Sequence, residues 1–202
     1  MMKGVDMARN GFFGLKNVHI ARFTNEDTFE YEKPVHIPGA VEFKMEPLIE
    51  QATSYGDNET WLDKYQDNGG TITWSLYDIE STPELREILA DINGFDIDAK
   101  GRVLATSGKP PKPFAFMCEQ PGHAVGKRRC IYKCTSKPAS VDAKTLEEKP
   151  DITQLDYNLT FRPVTLPTGW RGSYIDTYSD LADYDKFFEQ VDTAVKPKTE
   201  AV

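Results

Sequence analysis

Cys118, His123, Cys130 and Cys134 fall within 17 residues and are the side-chain types that hold zinc. Cys130 and Cys134 stand four apart, however, and on one strand that spacing separates them by about 13 Å. A single tetrahedral ion cannot bridge that distance, so the cysteines read as small buried apolar groups, and no metal or cofactor is expected. A cysteine nucleophile would need a base beside it, yet His19, His36 and His123 sit in separate segments with no motif around them. The acid pairs Asp57/Glu59 and Asp183/Asp185 have the chemistry for general acid and base work. With 32 acidic residues in the chain, such pairs arise by chance and read as solvated surface. Neither G-x-x-x-x-G-K-[ST] nor G-x-G-x-x-G occurs. The one basic cluster, Lys127-Arg128-Arg129, reads as a solvated strand end. The expected protein is not an enzyme.

Composition points the same way. Lys and Arg number 24 against 32 Asp and Glu, a net charge of −8 that disfavours nucleic acid and anionic membranes as partners. A chain of 202 residues supports one domain with a substantial core and appendages. No apolar run approaches a membrane span, and Asp6 and Arg9 interrupt the opening residues, so synthesis in the cytoplasm without a secretory signal is expected. Three cysteines suit a reducing compartment.

The elements that must position any site follow a period of two, which means strands. Asn17 to Phe23 is the first. Val41, Phe43 and Met45 alternate with Glu42, Lys44 and Glu46 in the second until Pro47 stops it. Pro47 to Gly70 reads as a long loop, with turn signals at Tyr55-Gly56-Asp57-Asn58 and Asn68-Gly69-Gly70. Thr71 to Tyr77 resumes strict alternation. A helix opens at Ser81 or Thr82 with Pro83 and Glu84, runs on Leu85, Ile88, Leu89 and Ile92, and closes at Asn93-Gly94; one of its faces must cover a sheet. Strands return at Arg102 to Thr106 and Phe114 to Glu119. Arg128 to Lys137 then pairs with Thr153 to Phe161 across a charged loop, Ser140 to Asp151. In the last strand Leu155, Tyr157, Leu159 and Phe161 face the core, and Gln154, Asp156, Asn158 and Thr160 face water. Leu181, Tyr184, Phe187, Phe188 and Val191 predict a closing amphipathic helix, followed by a frayed tail.

Trp61, Tyr65, Trp170, Tyr174 and Tyr178 lie outside these alternating strands, and aromatic-rich loops on a β-scaffold suggest a contact surface. From Gly14 to about Val191 the chain resembles the major tail proteins, or tail tube proteins, of siphophages infecting Gram-positive bacteria. The resemblance is carried by Gly14-Leu15-Lys16-Asn17-Val18, Ile37-Pro38-Gly39-Ala40-Val41 and Tyr55-Gly56-Asp57-Asn58. It continues in Pro83-Glu84-Leu85, the basic-aromatic strand Gly126 to Lys133, and Lys149-Pro150.

What the resemblance implies is a mainly β fold: a two-sheet β-sandwich with a flanking α-helix, a long mid-chain loop and terminal arms. The divisions are an N-terminal arm over 1–13, the tail-tube domain over 14–168 and a C-terminal arm over 169–202. It further implies hexameric rings stacked into a non-contractile tube in the virion tail, with tape measure and tail-end proteins as further partners. DNA passes through without specific binding. Tyr55, Asp57, Trp61 and Tyr65 are then the ring-stacking candidates, and Trp170, Tyr174, Phe187 and Phe188 the contacts of the C-terminal arm. Glu42 and Glu46 on one strand, or Gln154, Asp156 and Asn158 on another, are alternative candidates for the face toward the lumen. The competing expectation is a monomeric carbohydrate-binding β-sandwich that uses Trp61, Trp170 and neighbouring tyrosines as a sugar platform.

Overall fold

The computed structural model describes residues 14–57, 59–77, 82–122, 125–138 and 154–198, without the side chains at 55, 56 and 59–62. Its long strands are β1 (Lys16–Asn25), β4 (Ala40–Gly56), β5 (Glu59–Tyr77), β8 (Phe114–Gln120), β9 (Lys127–Ser136) and β10 (Gln154–Phe161). The short ones are β2 (Glu30–Tyr31), β3 (Val35–His36), β6 (Asp96–Ile97), β7 (Val103–Leu104), β11 (Val164–Thr165), β12 (Arg171–Gly172) and β13 (Tyr174–Tyr178). Among the described residues there is one helix, α1 (Pro83–Asn93), between β5 and β6. The protein is mainly β, as the sequence predicts.

The two expected layers are halves of a single nine-stranded antiparallel sheet, ordered β2-β1-β8-β9-β10-β5-β4, with β3 also on β1 and β13 also on β9. β9 is a fork. Its first half, Lys127 to Ile131, pairs with β13, and its last three residues, Cys134 to Ser136, pair with β10. Phe43 of β4 stacks on Phe116 of β8 at 5.4 Å, and Trp74 of β5 meets the same ring edge-on at 5.3 Å. The β10-β5-β4 half therefore folds over the β1-β8-β9 half. Between them lie Val18, Ile20, Ile72, Trp74, Leu76, Phe114, Phe116, Leu159 and Phe161, joined by Leu85, Ile88, Leu89 and Ile92 of α1. Each large side chain withdrawn this way contributes about 1.5–3 kcal/mol. On the opposite face of β8 and β9, Met117, Cys130 and Tyr132 are covered by Val164, Leu166 and Val191, with Trp170, Phe187 and Phe188 packed against them.

The helix is bounded as its sequence predicts. Thr82 Oγ1 accepts the Leu85 N–H at 3.3 Å, and Gly94, at φ +73°, directs its N–H back to the last turn. The β10 alternation also holds: Tyr157, Leu159 and Phe161 are buried while Gln154, Asp156 and Asn158 are exposed.

Four expectations are corrected. Pro47 does not end a strand, and Pro47 to Gly70 is not a loop: β4 and β5 run on as a hairpin paired out to Gly56↔Glu59. Pro47 is tolerated because β4 is an edge strand and the register shifts between Pro47 and Ile49. The strand expected at Arg102 to Thr106 shrinks to Val103–Leu104. β9 and β10 share only three paired positions, since β5 is the partner of β10 along its full length; the charged stretch 139–153 between them lies outside the described residues. The closing segment is not a helix. From Ser179 to Glu189 it is a run of turns closed by i+3 to i bonds such as Tyr184 N–H to Leu181 O and Phe187 N–H to Tyr184 O.

Candidate functional site

The β4–β5 hairpin has two parts. Up to Gly70↔Phe161, β5 is flanked by both β4 and β10. Among the described residues only β4 remains beside β5 beyond Gly70, and residues 48–56 and 59–69 form a two-stranded ribbon about 30 Å long. Every described side chain from Pro47 to Asp67 is exposed, including Leu48 at 53%, Ile49 at 64% and Tyr65 at 68%. Within it Gln51 Nε2 donates to both oxygens of Asp63 at 2.9 Å and Thr53 Oγ1 donates at 3.0 Å, which holds the Asp63 carboxyl below the ordinary range. Asp57 takes the tip at φ +48°. Tyr55 and Trp61 stand on the ribbon's strands, and their side chains lie outside the described residues. The stacking candidates are thus strand and tip residues of a projecting ribbon.

The ribbon departs at Gly69 and Gly70. Gly69 has φ +88°, and a Cβ there would stand 1.9 Å from Phe161 O; one on Gly70 would stand 2.2 Å from Glu46 O. No side chain fits either place.

The lumen candidates are brought together. Glu42 pairs with Ser75, which pairs with Asp156; Thr73 lies between Lys44 and Asn158, and Thr71 between Glu46 and Thr160. Ser75 Oγ donates to Asp156 at 2.5 Å, Lys44 reaches Glu46 at 2.6 Å, and Thr160 and Thr135 share a 2.8 Å bond that extends the row onto β9. Glu42, Glu46, Gln154, Asp156 and Asn158 are not alternatives on opposed faces. They share the outer face of the β10-β5-β4 half, so the choice between two strands dissolves.

The basic cluster is not a solvated strand end. Lys127, Arg128 and Arg129 side chains are 13–15% exposed. Arg129 grips Asp176 through Nε and Nη2 at 2.7 and 2.8 Å, and Lys127 Nζ reaches the same carboxylate at 2.7 Å. Arg128 donates to Glu119 at 3.1 Å and to Tyr184 O, and its guanidinium lies over the Tyr184 ring at 3.8 Å. The C-terminal candidates make contacts with the sheet of this chain, Tyr174 while still exposed and the other three half-buried. Trp170 meets Tyr132 edge-on at 5.9 Å, Tyr174 is a β13 residue under Arg129 at 4.2 Å, and Phe188 stacks on His19 at 4.3 Å with Phe187 edge-on at 5.3 Å. Burial and the nearby His36 and Arg128 lower the His19 pKa, outweighing the bond to Asn17 O.

All three cysteines are free and buried. Cys118 and Cys134 belong to the inner core and Cys130 to the opposite face, and burial pushes the Cys118 thiol up to about 12. His123 lies outside the described residues. Among the described residues no cluster of His, Cys, Asp and Glu is arranged to hold a metal, and no helix is long and apolar enough to cross a membrane.

No protein-family model matches this sequence, and no curated protein matches it. Among solved structures, the chain is similar to one described as "Cryo-EM structure of the anti-feeding prophage cap (AFP tube terminating cap)". The TM-score is 0.48 at 8% identity, over 80% of this chain and 88% of that one. This is a distant likeness that carries no function with it.

Proposed function

We propose that this chain is a structural subunit of a phage-type tail tube, which assembles with copies of itself and delivers DNA without chemistry of its own. The observation that carries this reading is the bare ribbon. An isolated two-stranded hairpin is marginally stable in water, and one that exposes Leu48, Ile49 and Tyr65 gains stability when a second surface covers it. The outer edge of β4 adds unpaired N–H and C=O groups, which lateral pairing with the next subunit would satisfy. Six subunits per ring, ring stacking through the ribbon and a place in the virion follow from the sequence resemblance to siphophage tail tube proteins. Head-to-tail contacts that close on themselves make such rings. In the sugar-binding alternative Trp170 would offer only part of its ring, since it packs edge-on against Tyr132.

The test is assembly with and without the ribbon. Concentrated protein should show rings or tubes by light scattering and negative-stain microscopy. A variant in which 51–65 is replaced by Asn-Gly should keep the circular dichroism and melting temperature of the body and form no tubes. Monomer alone from the unaltered chain, or normal tubes from the shortened one, would refute the reading.

A further inference from the structure

Asp67 occupies the first rung of the ribbon, opposite Ile49, where β5 has lost β10 as a neighbour. One carboxylate oxygen accepts the Gly69 N–H at 2.8 Å, across the turn that lets the chain pass Phe161. The other accepts the Ser173 hydroxyl at 2.9 Å from the junction of β12 and β13, 106 residues away. Ser173 is only 4% exposed, and its carbonyl accepts the Tyr132 N–H of β9 at 3.2 Å, so it is fixed to the body of the sheet. The neighbours of Asp67 along β5, Tyr65 and Gln66, are exposed.

We propose that Asp67 is the residue that aims the ribbon: its carboxylate clamps the base of the ribbon to the β12–β13 junction and sets the angle at which it leaves the sheet. A two-stranded ribbon joined to the sheet through two glycines has no lateral support of its own, and glycine restrains its backbone less than any other residue. A carboxylate that bridges the hinge amide and a buried hydroxyl removes that freedom at two points. The ribbon and the strand that leads into the C-terminal segment then form one rigid piece, so a surface docked on the ribbon is presented at a fixed orientation. The value of a fixed aim rests on the reading of the ribbon as a contact between copies, whereas the clamp itself does not.

The experiment is electron spin distance measurement between labels at Thr53→Cys on the ribbon and Glu84→Cys on α1. Labelled chains are diluted with unlabelled ones so that only distances within a subunit are read. The buried native thiols stay unlabelled. The parent should give one narrow distribution. Asp67→Ala and Ser173→Ala, which break the clamp from opposite sides, should each broaden it at least twofold. Asp67→Asn should restore a narrow one, because its amide can still accept from Gly69 and donate to Ser173. Distributions as narrow as the parent's in both alanine variants overturn the clamp, whatever assembly does. A broadened ribbon that still forms normal tubes upholds the clamp and overturns the need of assembly for a fixed aim.

Discussion

Asp176 shows how far a single residue can hide from the sequence. Burial raises its pKa, but hydrogen bonds and charge from Arg129 and Lys127 outweigh that and hold the carboxyl below its ordinary value. A carboxyl whose folded pKa is depressed contributes stability above its unfolded value, near 4, and loses it as pH falls through the folded value. Asp176→Asn should therefore lower stability at pH 7 by about 3 kcal/mol, since it strands two largely buried cations. The gap between variant and parent should narrow below about pH 4, as read from urea midpoints at pH 7 and pH 3. An equal gap at both values would remove the carboxylate as its cause. Lys127-Arg128-Arg129 reads as solvated in the sequence because three adjacent cations are visible there, while the carboxylate that neutralises two of them lies 47 residues from Arg129.

At the scale of elements, legibility tracks the contrast between the two faces. β10 has one dry and one wet side, residues 71–77 of β5 alternate buried apolar side chains with Thr71, Thr73 and a buried Ser75, and both alternations are plain in the sequence. Residues 48–67 are wet on both sides where described, so nothing selects an alternating pattern, and the Asn68-Gly69-Gly70 turn signal marks a bend inside a strand rather than its end. The closing segment misleads in the opposite direction. Tyr184, Phe187 and Phe188 recur at helical spacing, but Arg128 and His19 bind two of those rings from β9 and β1, and the backbone follows them as turns. The six correspondences that define the candidate surface, between β4 and β5 and between β5 and β10, are tertiary and leave no local mark. Gly69 supplies the prediction at this scale. Gly69→Ala places a methyl group against Phe161 O in a left-handed conformation and should destabilise the protein by at least about 2 kcal/mol, read as a fall in the thermal midpoint. A midpoint within a degree of the parent's would show that the bend can be made another way.

For the whole molecule, Glu42 and Asp156 flank the same Ser75, so charge changes at the two positions must act alike. If that face lines a tube, Glu42→Lys and Asp156→Lys should each make assembled particles retain short duplex DNA at low salt and release it as salt rises. Retention by one variant alone would contradict their shared face, and retention by neither would turn that face away from the lumen. The fork in β9 divides the molecule differently. Amides of Lys127 to Ile131 have β13 on one side, and those of Cys134 to Ser136 have β10. Among the described residues β13 has no second strand beyond it, whereas β10 is backed by β5. In solvent hydrogen exchange the two ends of this one strand should keep separate clocks. β13 and the turns that follow it can lift away in a local opening, letting deuterium into the amides that β13 covers, while amides at 134–136 wait for the sheet as a whole to unfold.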